Sequence, residues 1–245
     1  VIATIVEGAR IYDGVSAVPQ QTDLAIVGER IALIGDLSER DARERIDGRG
    51  LCLAPGFIDV HSHSDELWLV DGACAGKILQ GVTTEIAGNC GSSVAPLRGL
   101  ALERKREDVR SYGIDLEWEG LDTFFTLVER SGVALNVATL AGLGTIRRCV
   151  RGDLEGPLEE AQLAAARALV REAIDHGALG VSSGLIYTPG RFADTAELVA
   201  LASAAREAGA ARYATHLRDE GDRSVEAVEE ALEIGREAEV AVQFS

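Results

Sequence analysis

The sequence contains no methionine and only two lysines, Lys77 and Lys105. It also lacks any apolar run of the ~18 residues needed for a membrane-spanning helix. The missing methionine, even at position 1, leads us to expect a trimmed or partly recorded chain. The short apolar runs exclude a helical span within these residues, and no basic-then-apolar leader is read in them. Basic residues are scarce: 24 Lys and Arg face 40 Asp and Glu, a net charge of −16. Such a balance disfavours nucleic acid, whose phosphates need a basic surface, and an anionic membrane for the same reason. The acidity reads as a solubility device. The near-absence of lysine, with arginine, alanine and glycine abundant, reflects GC-rich coding rather than function. The four cysteines, Cys52, Cys74, Cys90 and Cys149, are too widely spaced for a zinc ribbon or a disulfide scaffold. A reducing, cytoplasmic compartment is therefore expected.

What remains is an ordinary globular composition, 47% apolar and 26% charged over 245 residues. That length suits one large domain, or one large and one small. Residues 1–54 read as β. A run over Thr4–Tyr12 ends at an Asp13-Gly14 turn, and Asp23–Val27 and Arg30–Ile34 flank a two-residue Gly28-Glu29 hairpin turn. A short strand at Leu51–Leu53 leads to Pro55-Gly56, where a domain boundary is placed.

Beyond it, apolar runs alternate with helical patterns. The runs are Phe57–His61, Val82–Ala87, Ala134–Ala141, Ala178–Ser183, Ala211–Leu217 and Val240–Ser245. The clearest helices are Leu158–His176, Thr195–Ala208 and Ser224–Ala238, with Gly177 and Gly209 placed to end two of them. In the first, Leu158, Ala161, Ala165, Leu169, Ala173 and Ile174 share a face. The alternation predicts an α/β fold of parallel βαβ units. Six strands in roughly 190 residues fall short of a (β/α)8 barrel, so the alternatives are an open sheet or a barrel lacking two units.

The reactive residue types gather at the C-terminal ends of these strands, where parallel α/β folds build their sites. His61 and His63 end the first run; two apart on an extended strand, both imidazoles face one side, as metal ligands require. Cys90, in Gly88-Asn89-Cys90-Gly91, ends the second and is a zinc ligand, a nucleophile or a buried small residue. His216 ends the fifth, so three of the four histidines lie at strand ends. The fourth, His176, ends a helix and meets its dipole. Gly184-Leu-Ile-Tyr187 is either a substrate lid with a phenolic donor or a plain turn. Cys52, Cys74 and Cys149 read as core or inert. For Arg218, beside His216, a structural ion pair is expected.

The segment Leu53–His63 resembles the opening metal motif of the amidohydrolase superfamily. Gln80–Glu85, Gly88–Gly91, Gly184–Tyr187 and His216–Gly221 narrow the resemblance to the D-aminoacylases, the N-acyl-D-amino-acid deacylases. It implies a metal-dependent TIM barrel, about six of whose strands lie in residues 55–245, with residues 1–54 forming part of a small N-terminal β-sandwich. It implies one or two zinc ions held by His61, His63, Cys90 and His216, with Cys90 between the two metal positions in place of a carboxylated lysine. Neither Lys77 nor Lys105 lies at a strand end, which agrees with that replacement. Tyr187 matches a substrate-contacting tyrosine. The implied reaction is hydrolysis of N-acyl-D-amino acids, small molecules, to a carboxylate and a D-amino acid. A cyclic-amide hydrolase of the dihydroorotase or hydantoinase type and a non-catalytic scaffold are the alternatives. The resemblance also implies a further metal histidine and a catalytic aspartate beyond residue 245. Residues 1–245 alone are therefore expected to fold poorly and to be inactive.

Overall fold

A computed structural model describes residues 1–245. The chain forms two compact units, Val1–Gly56 and Phe57–Ser245. In the first, β1 (Ile2–Ile11), β2 (Gln20–Val27), β3 (Arg30–Gly35), β4 (Ala42–Asp47) and β5 (Cys52–Leu53) make one sheet of order β3-β2-β1-β4, with β5 also on β1. The expected hairpin is β2–β3, antiparallel, whereas β4 and β5 run parallel to β1. Ile5, Ala9, Ile11, Leu24, Ala25 and Leu37 are the buried apolar side chains of this unit. β4 has no apolar alternation to announce it; four of its six residues are charged and all but Ala42 are exposed. Its strand state comes from backbone pairing with β1, which is a tertiary event. Of the two readings of Cys52, core or inert, its exposure removes the first.

The second unit runs β6 (Phe57–Asp59), a 3₁₀ turn (Asp65–Leu69), α1 (Ala75–Ile78), β7 (Val82–Ala87), α2 (Gly99–Arg110), α3 (Leu121–Ser131), β8 (Asn136–Thr139), β9 (Ala141–Gly142) and α4 (Leu143–Arg151). It continues with α5 (Glu160–Asp175), β10 (Val181–Gly184), a 3₁₀ turn (Gly190–Phe192), α6 (Thr195–Glu207), β11 (Arg212–His216), α7 (Ser224–Ala238) and β12 (Ala241–Phe244). All its strand pairs are parallel, in the orders β6-β7-β8 and β9-β10-β11-β12. The third apolar run thus divides at Leu140: β8 pairs with β7, and β9 pairs with β10. Hydrogen bonds from Leu179 N–H to Thr139 O and from Ala141 N–H to Gly180 O carry the pairing across the break. β6 and β12 each have one strand neighbour, so these residues close no barrel.

Local signals explain the helix ends. A capping box between Glu159 and Gln162 starts α5. Asp194 accepts the Glu197 N–H at 2.8 Å to start α6. Gly177 and Gly209 follow the C-caps of α5 and α6 with φ of 102° and 100°. One expectation is corrected. The buried face of α5 is Ala166, Val170 and Ala173, while Ala161 and Ala165 are exposed. In an alanine-rich helix the residue type does not mark the inner face, so neighbouring elements decide it. The core is mostly alanine, valine and leucine, with one aromatic cluster in which Phe124 packs on Trp118 (5.2 Å between centroids) and Trp68 (6.2 Å). No helix is long and apolar enough to cross a membrane.

Candidate metal centre

β6 ends at Asp59, so His61 and His63 lie on the loop that follows rather than on an extended strand. Backbone bonds hold that loop: the His61 N–H donates to Asp59 Oδ1 at 3.2 Å, and the Ser62 N–H to Ile86 O at 3.1 Å. The imidazoles are still brought together, with ring centroids 5.3 Å apart. His61 is half-buried and His63 exposed.

Under the loop sits a buried anion, Glu85, in the middle of β7 with 1% of its side chain exposed. The Ser62 hydroxyl donates to it, as does the Trp68 indole at 3.0 Å, and Lys77 Nζ is 3.0 Å away. Lys77 also pairs with Asp59. Burial pushes the Glu85 carboxyl up, but hydrogen bonds from Ser62, Ser64, Trp68 and Lys77 outweigh this and hold it at about 2. Burial alone would lower Lys77; its bonds to Asp59 and Glu85 hold its ammonium above the usual lysine range. Lys77 is therefore committed to an ion-pair network and Lys105 to Glu66 at 2.9 Å.

Cys90, three residues beyond the end of β7, has a left-handed conformation, φ 52°. Such a conformation is costly for a residue with a side chain and persists only where the surroundings enforce it. Its Sγ lies 3.5 Å from His61 Nε2 and 3.8 Å from His216 Nδ1. The donor atoms of His61, His63 and Cys90 all lie within 4.8 Å of one another. The sulfur thus stands between the His61–His63 pair and His216. His216, at the end of β11, has Tyr187 Oη 3.5 Å from its Nδ1 and Glu220 Oε1 3.4 Å from its Nε2.

Burial and the neighbouring His63 lower His61, favouring the neutral imidazole that can ligate a cation. Burial and Glu220 raise the Cys90 thiol. Two imidazoles and a sulfur, closely spaced and with the anionic form of the sulfur unfavourable by itself, fit a borderline-soft divalent cation whose binding displaces the thiol proton. A cavity of about 270 Å³ opens beside them, with His63, Cys90, Gly91, Arg148, Gly184 and Tyr187 in its lining.

The remaining candidates are structural. Arg218 binds Glu230 through two bonds of 2.8 Å and donates to the carbonyls of Arg191 and Ala193. His176 caps α5 with Asp122 3.5 Å away. Burial pushes the Cys149 thiol up to about 11, and Cys149 bonds Pro96 O. Sequence reasoning left out Asp59, Asp65 and Ser182, which hold the site together. The one legible signal was a charged residue, Glu85, inside an apolar strand, since a buried charge demands partners.

The amidohydrolase family pattern matches residues 44–243. The chain is 39% identical over 241 residues to a D-aminoacylase of Alcaligenes xylosoxydans xylosoxydans, covering 98% of this chain and 49% of that protein. It is also 39% identical to the N-acyl-D-aspartate deacylase of the same organism, covering 98% of this chain and 48% of the relative. The N-acyl-D-glutamate deacylase of Bordetella bronchiseptica, solved with zinc and a phosphonate mimic of the tetrahedral intermediate, superposes with a TM-score of 0.88. That structure is 34% identical, and the match covers 98% of this chain and 50% of it. The chain spans about half the length of the curated relatives it matches. Histidines on the loop after β6 and at the end of β11 and a cysteine after β7, on parallel βαβ units, together with these matches, place the chain in the amidohydrolase family.

Proposed function

We propose that the protein carrying this chain is a zinc-dependent hydrolase of N-acyl-D-amino acids, small molecules that it splits to a carboxylate and a D-amino acid. In this reading the six parallel βα units belong to an eight-stranded barrel, and the sheet of residues 1–56 is part of a small β-sandwich. His61, His63, Cys90 and His216 would hold the one or two zinc ions. The observation that carries the reading is the convergence of three donor atoms within 4.8 Å, with His216 3.8 Å from the same sulfur. Zinc bound there supplies Lewis-acid polarisation of the amide carbonyl and acidification of water.

The chain's own residues do the rest of what is assigned here. Cys90 gives up its thiol proton and contributes negative charge. The lowered basicity of His61 keeps its imidazole available as a neutral donor. Tyr187, on the rim of the 270 Å³ cavity and 3.5 Å from His216, directs its hydroxyl toward the reacting carbonyl oxygen and donates a hydrogen bond to it. Proton transfer to the leaving amine belongs to an aspartate outside residues 1–245, as the family resemblance implies.

The test is metal content by plasma emission spectroscopy and turnover of N-acetyl-D-amino acids against a hydantoin, on the full-length protein. Zinc at one or two equivalents, D-selective deacylation and its loss in Cys90→Ala are expected. No zinc, together with unchanged activity in Cys90→Ala, refutes the proposal. Turnover of the hydantoin alone replaces it with a cyclic-amide hydrolase.

A further inference from the structure

Cys90 adopts its left-handed backbone between two glycines, and every backbone polar group of those glycines is taken by another element. The Gly88 N–H donates to Asp65 Oδ1 at 3.1 Å. Gly88 O accepts the Ser182 hydroxyl, and the same Ser182 Oγ accepts the Gly91 N–H at 3.0 Å. Gly91 O accepts the Thr145 N–H at 3.0 Å. Ser182 is fully buried in β10, and Asp65 is 7% exposed. Space reinforces the clasp. A Cβ on Gly88 would lie 2.1 Å from Leu140 O, and one on Gly184 would lie 2.2 Å from Cys90 O. A buried hydroxyl that both donates to the residue before Asn89-Cys90 and accepts from the residue after it closes the turn like a staple. It fixes the backbone on both sides of the residue that carries the sulfur.

We infer that Ser182 is a positioning residue for the proposed metal site. Its hydroxyl, bridging Gly88 O and Gly91 N–H, holds Cys90 in the left-handed conformation from which its sulfur faces His61 and His216 together. Asp65 secures the other side of the same turn through Gly88. The inference rests on the reading of Cys90 as a ligand and adds how that ligand is preorganised. Groups that orient ligands in this way are worth about 10–100-fold in metal affinity.

The experiment is titration of the metal-free full-length protein with Co(II), followed by its thiolate-to-cobalt charge-transfer absorption. Wild type, Ser182→Ala, Cys90→Ser and Val170→Ala are compared, the last a core truncation in α5 that controls for lost stability. Wild type and Val170→Ala are expected to show the sulfur band with equal affinity. Ser182→Ala is expected to bind about 10–100-fold more weakly with a diminished band. Wild-type affinity and band in Ser182→Ala overturn the inference while leaving Cys90 a ligand. A wild-type band that is missing, or that survives in Cys90→Ser, overturns the ligand reading itself and the inference with it. Amide hydrogen exchange of metal-free wild type needs no variant to fold. Gly88 and Gly91 N–H are expected to be protected before any metal is bound, and rapid exchange at both overturns the inference.

Discussion

Glu85→Gln tests the anion beneath the histidine loop. Glu85 has 1% of its side chain exposed, accepts hydrogen bonds from Ser62 and Trp68, and pairs with Lys77. Its carboxyl is held at about 2 against an ordinary 4.5, and at 1.36 kcal/mol per unit this is worth ~3 kcal/mol. Loss of one partner of a buried ion pair costs about 3–5 kcal/mol. Lys77 keeps 30% exposure, which puts this pair at the low end of that range, so the two routes agree. The sign follows from linkage. A carboxyl depressed by folding stabilises the protein above its unfolded value of about 4.5, and the contribution fades as pH falls toward about 2. Urea unfolding of wild-type and Glu85→Gln protein from pH 7 to pH 2.5 reads this directly. At neutral pH the variant is expected to be less stable by ~3 kcal/mol, and the gap should shrink as the wild-type carboxylate protonates. Equal stability at pH 7, or a gap that stays constant down to pH 2.5, refutes the reasoning.

Three further outcomes are expected. The buried pair Arg147–Glu197, at 2.6 Å with 1% and 4% side-chain exposure, should make Glu197→Gln destabilising by about 3–5 kcal/mol in chemical denaturation. Replacing both partners by apolar residues, as in Arg147→Met with Glu197→Leu, should recover much of that loss, and a double variant worse than the single one contradicts it. Gly184→Ala puts a methyl 2.2 Å from Cys90 O and 2.8 Å from the Tyr187 ring. Zinc retention after dialysis should drop while the far-ultraviolet circular dichroism stays native; full retention contradicts the close packing. Tyr187→Phe should lower kcat by about 10²-fold with little change in zinc content, as for the loss of one oxyanion donor, and an unchanged kcat assigns the loop a purely structural role.

The parts of this molecule legible in its sequence are those whose cause is local or chemical. The β2–β3 hairpin follows from its two-residue turn, and the C-terminal ends of α5 and α6 follow from Gly177 and Gly209. His61, His63, Cys90 and His216 stand out because histidine and cysteine are rare in the sequence, four of each, and these recur at the ends of apolar runs. Elsewhere the sequence is degenerate. Charged residues of β4 become a strand only because β1 offers a backbone edge. The inner face of α5 is decided by its neighbours, because alanine is equally at home on either side. Leu140 breaks one run into two strands through pairing with different partners.

By itself, then, the sequence determined the βα rhythm, the acidic balance of charge and the histidines and cysteine that fall at the ends of apolar runs. Only the tertiary structure decided that these side chains meet. It carried His61 and His63 off the strand onto a loop anchored by Asp59 and Ile86. It spent Lys77 on Asp59 and Glu85, and it clamped Cys90 between Asp65, Thr145 and Ser182. The physical reason is that residue type and spacing record which groups a segment carries. The energy of a buried charge, a strained backbone or a shared hydroxyl depends on partners dozens of residues away, which only folding brings within hydrogen-bonding distance.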